Sequence, residues 1–211
     1  MKIGICGPSG SGKTTLAKFI AGHTDIKNGK INWVSNSARD LFTKEDNELL
    51  RSLGYEENSG HRRVIQLSNE KPEFGLTFQK LINKRRTEFI ISNNDFVTDR
   101  TPVDNLVYFL FQSCSNQPDE IIQDMVSDCR AALGEFDVIF FTPYIEGNEV
   151  ENNNSRVDSK YFQSMISGIF EDTIKKYFRD IFADDDGPGF VKLGIWDLRT
   201  RKDTILHTLI R

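Results

Sequence analysis

Long apolar runs, clustered histidines and an excess of positive charge are all missing from this 211-residue chain. No stretch approaches the roughly 20 consecutive apolar residues that a membrane-spanning helix needs, so no contact with a membrane is expected. The chain opens directly into the apolar run 3-IGIC-6, with no signal-peptide pattern ahead of it. Lysine and arginine number 27 against 31 acids, a formal charge of −4. That balance lacks the basic footprint of a protein that grips duplex DNA by its phosphates, although a local basic groove stays open. His23, His61 and His207 are scattered and have no partner at a catalytic spacing. Cys6, Cys114 and Cys129 lack metal-ligand spacing and fall in apolar surroundings. Packing thiols in a reducing cytosol fit that placement better than disulfides do. With no internal repeat, the expectation is one cytoplasmic domain over residues 1–211, long enough for a full core.

What is present is a glycine-rich octapeptide straight after the first apolar run, 7-GPSGSGKT-14. Its spacing is G-x-x-x-x-G-K-[ST], with Gly7, Gly12, Lys13 and Thr14 at the fixed positions. Glycines let successive backbone N–H groups turn inward on an anion. Gly7, Ser9, Gly10, Ser11, Gly12, Lys13, Thr14 and Thr15 are the candidate phosphate-binding residues. Lys13 can reach the outer phosphates and the Thr14 hydroxyl can ligate Mg²⁺. The segment 14-TTLAKFIAGH-23 carries Leu16, Ala17, Phe19, Ile20 and Ala21, with Gly22 as a stop, which supplies the helix N-terminus that a phosphate cradle needs. An accidental Gly/Ser turn would match the four fixed positions in roughly one per cent or fewer of chains this long. The octapeptide is a nucleoside-triphosphate site.

Elsewhere strands alternate with helices, which predicts a parallel α/β sheet. The predicted strands are 3–6, 31–35, 95–99, 137–142 and 190–195. Apolar pairs at 161/162, 165/166, 169/170, 177/178 and 181/182 predict a helix over 159–183 with one broad buried stripe. Helices are also predicted over 119–136 and 78–90. Residues 51–75, rich in Glu, Asn, Gly and Arg, suit either a helical excursion or a mobile lobe.

Several fates of the bound triphosphate are open. A GTPase needs N-K-x-D, but Asn83-Lys84 is followed by Arg85-Arg86. An ATP-driven motor usually ends an apolar strand in Asp-Glu, whereas 97-VTDRT-101 places Arg100 after Asp99. At the carboxyl end of a parallel strand, Asp99 can organise Mg²⁺ or take a proton, while Arg100 clamps an acceptor. The plainer alternative is a surface ion pair. The polar segment 143-PYIEGNEVENNNSRVDSKYF-162 carries one arginine, Arg156, and fits a lid over about 143–160 that neutralises charge during transfer. A solvated loop fits equally. Three consecutive acids in 184-DDDGPG-189 suit a solvated turn better than a cation site. Trp196 and Arg199 could flank an adenine or serve packing and surface.

In series, 7-GPSGSGKT-14, 36-NSARDL-41, 78-FQKLINKRRTE-88, 97-VTDRTPVDNLVYF-109 and 155-SRVDSKYF-162 resemble the P-loop nucleoside and nucleotide kinases, in particular ribosylnicotinamide-kinase-like ATPases and small phage nucleotide kinases. The resemblance covers most of the chain in order. It implies a P-loop fold with a five-stranded parallel sheet flanked by helices, ATP with Mg²⁺ at Thr14 and Asp99, and catalysis by Lys13, Asp99 and the lid's Arg156. It also implies an acceptor pocket near the second and third strands, where Asn36, Arg39 and Arg100 stand. Relatives commonly carry Glu where this chain has Asn36, and Asn cannot serve as a base. Two guanidiniums on the acceptor side suit a phosphate, so the expected acceptor is a (deoxy)nucleoside monophosphate. Alternatives are a free nucleoside, a hydroxymethylated base in DNA (disfavoured by the chain's charge), or an ATPase switch acting on a protein partner. A homodimer stays open.

Overall fold

The structure is a computed structural model that describes residues 1–26, 31–35, 38–56, 61–113, 117–145, 159–194 and 197–210. Five strands form one sheet: β1 (Lys2–Cys6), β2 (Asn32–Val34), β3 (Phe96–Thr98), β4 (Val138–Phe141) and β5 (Gly189–Lys192). Their spatial order is β2-β3-β1-β4-β5 and every pairing is parallel. The register sets Gly4 beside Thr98 on one side and Ile139 on the other.

Parallel strands buried on both faces read as nearly unbroken apolar runs, and alternate residues divide between the two faces. Ile3, Ile5, Val97, Val138 and Phe140 join Leu16, Ala17 and Ile20 of α1 (Lys13–Ala21) and Ile205 of α10 (Leu198–Leu209) in one core. Cys6, Phe96, Ile139 and Phe141 belong to the other, packed by α5 (Pro72–Ser92), α6 (Pro102–Ser113), α7 (Asp119–Leu133) and α8 (Lys160–Thr173). Cys6 and Cys129 are both buried, and burial pushes each thiol well up, as inert packing groups require. Cys114 lies outside the described residues.

Residues 51–75 are largely helical where described. α2 (Ala38–Leu41) and α3 (Lys44–Ser52) precede α4 (His61–Glu70) and the start of α5. α3 opens on a capping box in which Thr43 and Asp46 satisfy each other's backbone. Leu50, Tyr55, Val64, Leu67, Phe74, Phe78 and Ile82 give this excursion a core of its own.

The helix predicted over 159–183 is interrupted. After α8, Ile174–Phe178 winds as a π-helical turn before α9 (Arg179–Ala183). Residues four apart drift by about 40° around an α-helix, so Ile166, Phe170, Ile174 and Phe178 would leave the core face one after another. A wider i→i+5 turn takes that drift back, and all four stay buried. The stripe is narrower than its pattern predicts, because Tyr161 and Met165 are 77% and 47% exposed. No helix among the described residues is long and apolar enough to cross a membrane.

Chain order reverses at β1, between β3 and β4, and such a switch point leaves a crevice outside the strands' carboxyl ends. The glycine-rich loop emerges there.

Candidate active site

β1 ends at Cys6, and the next residues turn back on themselves before α1. Gly7, Gly10 and Gly12 have φ of 143°, 78° and 91°, a region that side chains with a Cβ rarely adopt. A Cβ on Gly7 would also stand 2.3 Å from the Thr142 carbonyl oxygen. Gly12 is the N-cap of α1 and brings no side chain to cap it. The first N–H groups of that helix therefore stay available to an anion, with the helix dipole behind them.

Lys13 is 5% exposed. Its Nζ donates to the carbonyls of Gly7 at 2.5 Å and Pro8 at 2.7 Å, so the side chain lies folded against its own loop. Burial, reinforced by the positive charge of Arg100, pulls its pKa from 10.5 down to about 7; Asp104, Asp99 and Cys6 oppose the shift.

Asp99 follows β3, the strand next to β1, and is 8% exposed. The Thr14 hydroxyl donates to Asp99 Oδ2. A hydroxyl and a carboxylate thus converge at the foot of the loop, two oxygen donors of the kind Mg²⁺ prefers. No group of three or more acidic, histidine or cysteine side chains that could hold a metal ion occurs among the described residues.

Beyond Asp99 the charges are matched in pairs. Arg100 Nη1 stands 3.6 Å from Asp104 Oδ1, and Asp104 is 2% exposed. The other Asp104 oxygen accepts from the Thr101 amide at 2.9 Å and the Thr101 hydroxyl at 3.0 Å. Burial works against the Arg100 charge, but Asp104, Tyr108 and Asp99 outweigh it and hold the guanidinium above its ordinary pKa.

Next to this pair runs a row of buried polar side chains from α5. Arg86 donates to Asn105 Oδ1 and to the Thr101 carbonyl at 3.4 Å. Burial and the neighbouring Arg100 lower its pKa to about 10, against the pull of Asp104. Asn105 donates to Asn83 at 3.1 Å, and Gln79 donates to Gln112 at 2.9 Å. Gln79, Asn83 and Arg86 are each 4% exposed, and Gln79 Oε1 has no hydrogen-bond partner among the described residues. The prediction of a helix over 78–90 said nothing of this polar face. Its signal was the spacing 79, 83, 86 on a single helical face, interleaved with Phe78, Ile82 and Ile90.

The structure brings Gly7, Ser11, Gly12, Lys13, Thr14, Asp99 and Arg100 to one crevice. Arg39 is the second residue of α2, but its side chain, like Asn36, Arg156 and Trp196, lies outside the described residues. Arg199 is exposed on α10. Two residues further on, Arg201 is buried and reaches the glycine loop, donating to the Ser11 carbonyl at 2.8 Å; no local pattern pointed to it. The acidic segment at 184–186 is exposed, as a solvated turn should be.

The family model described as ABC transporter matches residues 1–163. Comparison with curated proteins found no match. Among solved structures, deoxyadenosine kinase from M. mycoides with bound dATP is similar at a TM-score of 0.59 and 13% identity, over 100% of both chains. The same kinase with the products dCMP and a flexible dCDP gives 0.60 and 14%, over 99% of this chain and 98% of its own. Thymidylate kinase from Candida albicans gives 0.52 and 18%, over 98% and 91%. These likenesses establish the fold as that of the P-loop nucleoside and nucleotide kinases.

Proposed function

This chain belongs to the P-loop family described as ABC transporter and shares the fold of nucleoside and nucleotide kinases, and from that fold we propose a phosphotransferase that moves the γ-phosphoryl group of ATP to a (deoxy)nucleoside monophosphate. The proposal takes residues 1–211 as one kinase domain. The observation that carries it is the Thr14–Asp99 hydrogen bond. It turns the Asp99 carboxylate toward the phosphate loop, which supports a role at Mg²⁺ over that of a general base.

The chemistry follows from this chain's own groups. Amides of Ser9 to Thr15 hold the triphosphate at the uncapped start of α1. Lys13 leaves the Gly7 and Pro8 carbonyls for the β- and γ-phosphate oxygens, where its charge follows the transferring group. Thr14 and Asp99 would hold Mg²⁺, which would neutralise phosphate charge when bound. Arg156, in the segment over about 143–160, is assigned to neutralising charge as the phosphoryl group moves. Arg39 and Arg100 are assigned to the acceptor, and the buried row Gln79, Asn83, Arg86 suits a polar base. A monophosphate has its second pKa near 6 and is largely dianionic at neutral pH. It needs positioning more than deprotonation, which agrees with Asn36 in place of a base.

The test is a panel of nucleosides, nucleoside monophosphates and DNA with labelled ATP. Label moving to a monophosphate in preference to every other acceptor is the expected result. Preference for a nucleoside or for a hydroxymethylated base in DNA would make Asp99 the general base and overturn the assignment.

The family match itself favours one further possibility, an ATPase switch whose partner is another protein. Such a switch hydrolyses ATP slowly with no acceptor present. A kinase consumes it mainly when the acceptor is added. Against the switch stands Arg100 directly after Asp99, where ATP-driven motors usually carry an acid.

A further inference from the structure

We propose that Arg201 is a positioning residue for the triphosphate loop, tying it to the root of the segment over 143–160. The proposal rests on the reading of 7–14 as an ATP-binding loop, and on nothing about the acceptor.

Arg201 sits in the first turn of α10, and that turn is fixed by its cap. Asp197 accepts from the Thr200 amide at 2.7 Å and from the Thr200 hydroxyl at 2.6 Å. One residue on, the Arg201 side chain runs inward and is 3% exposed. Its Nη1 donates to the Ser11 carbonyl at 2.8 Å and its Nη2 to the Pro143 carbonyl at 3.5 Å. One planar fork therefore spans two loops that are far apart in sequence. Burial lowers the guanidinium's pKa, yet an arginine starts so high that the charge is kept at neutral pH.

Ser11 is held from a second side. Its hydroxyl and that of Thr142 are 2.8 Å apart, and Thr142 Oγ1 also donates to the Cys6 carbonyl at 3.0 Å. With the Thr142 proton committed to Cys6, Ser11 must be the donor to Thr142. Thr142 and Pro143 are where the chain leaves β4. The phosphate loop is thus tied at Ser11, by one side chain and one carbonyl, to the place where the 143–160 segment begins.

The carbonyl contact also bears on the phosphates. The Ser11 carbonyl and the Gly12 N–H belong to one peptide group. A charged donor on that oxygen polarises the peptide and makes the N–H a stronger donor. The guanidinium is close: a Cβ on Gly12 would stand 3.9 Å from Arg201 Nη1. Arg201 thereby lends positive charge to the cradle without reaching the ligand.

The experiment compares wild type with Arg201→Met, Arg201→Lys and Thr142→Val. Fluorescent ATP-analogue binding is titrated without acceptor; kcat and both KM values are then measured, with circular dichroism reporting folding. Arg201→Met should weaken ATP binding by roughly ten- to a hundredfold, the range for a lost charged hydrogen bond, with the acceptor KM unchanged. Arg201→Lys should recover part of it, because one ammonium cannot bridge both carbonyls. Thr142→Val, nearly isosteric, should weaken ATP binding less than Arg201→Met does. If Arg201→Met does not fold, wild-type ATP affinity in both Arg201→Lys and Thr142→Val overturns the proposal, as does wild-type affinity in a folded Arg201→Met. A wild-type protein that fails to bind the analogue would refute the ATP-loop reading instead, and a wrong acceptor would leave these affinities untouched.

Discussion

On the proposed reading, Lys13 should make ATP binding a proton-linked event. Its ammonium lies 5% exposed against the Gly7 and Pro8 carbonyls, and burial with the charge of Arg100 brings its pKa from 10.5 to about 7. That displacement corresponds to roughly 5 kcal/mol of penalty on the charged form. The sign follows from proton counting. Between pH 7 and 10.5 the unfolded chain holds the Lys13 proton more firmly than the folded one, so stability without ligand rises with pH across that window and loses the Lys13 contribution as pH falls toward 7. A bound triphosphate supplies the missing anionic partner and returns the lysine to its charged form. At pH 8 a group of pKa about 7 is about 90% neutral, so binding should take up about 0.9 proton; at pH 6 the uptake should fall to about 0.1. ATP affinity should then weaken by up to about tenfold per pH unit above 7. Isothermal titration calorimetry in buffers of different ionisation enthalpy reads the proton directly. Lys13→Arg, charged at every working pH, should take up none at pH 8. Wild-type uptake near zero at pH 8 would refute the reasoning.

The other predictions concern the groups around that lysine. Asp99→Asn should lower kcat by impairing Mg²⁺ binding with Thr14, and millimolar excess metal should restore part of it; a variant dead at every Mg²⁺ concentration would identify Asp99 as the base. Arg100→Ala should raise the acceptor KM steeply and also destabilise the protein by about 3–5 kcal/mol, because Asp104, 2% exposed, loses its ion pair; thermal melts and steady-state kinetics separate the two effects. Arg156→Ala should cut kcat by about 10³-fold or more, in line with other arginines that stabilise phosphoryl transfer, with little change in melting temperature. Unchanged kinetics would return Arg156 to an ordinary solvated loop.

Much of the fold was legible because local rules agreed with one another. The apolar runs at 3–6, 95–99 and 137–142 could hardly be anything but buried strands; β3 and β4 lie within them, and β1 begins one residue earlier, at Lys2. The glycine loop was legible because its chemistry is local: eight consecutive residues supply the turns, the amides, the lysine and the hydroxyl. The long helix was only partly legible. Apolar spacing marked its existence, but the π-helical turn at Ile174–Phe178 arises from keeping Phe178 on the same core as Phe170, a demand that comes from the sheet beneath.

By itself, then, the sequence determined where the phosphate-loop pattern lies, over residues 7–14. It also determined that a parallel sheet would carry the loop. Tertiary structure alone decided which charges the loop meets. The pairing of β1 with β3 brings Asp99 onto Thr14, 85 residues away in sequence. Folding of α10 over the same sheet buries Arg201 behind Ser11, across 190 residues. A buried charge owes its pKa and its partners to groups assembled from separate segments, and no window of the sequence contains them together.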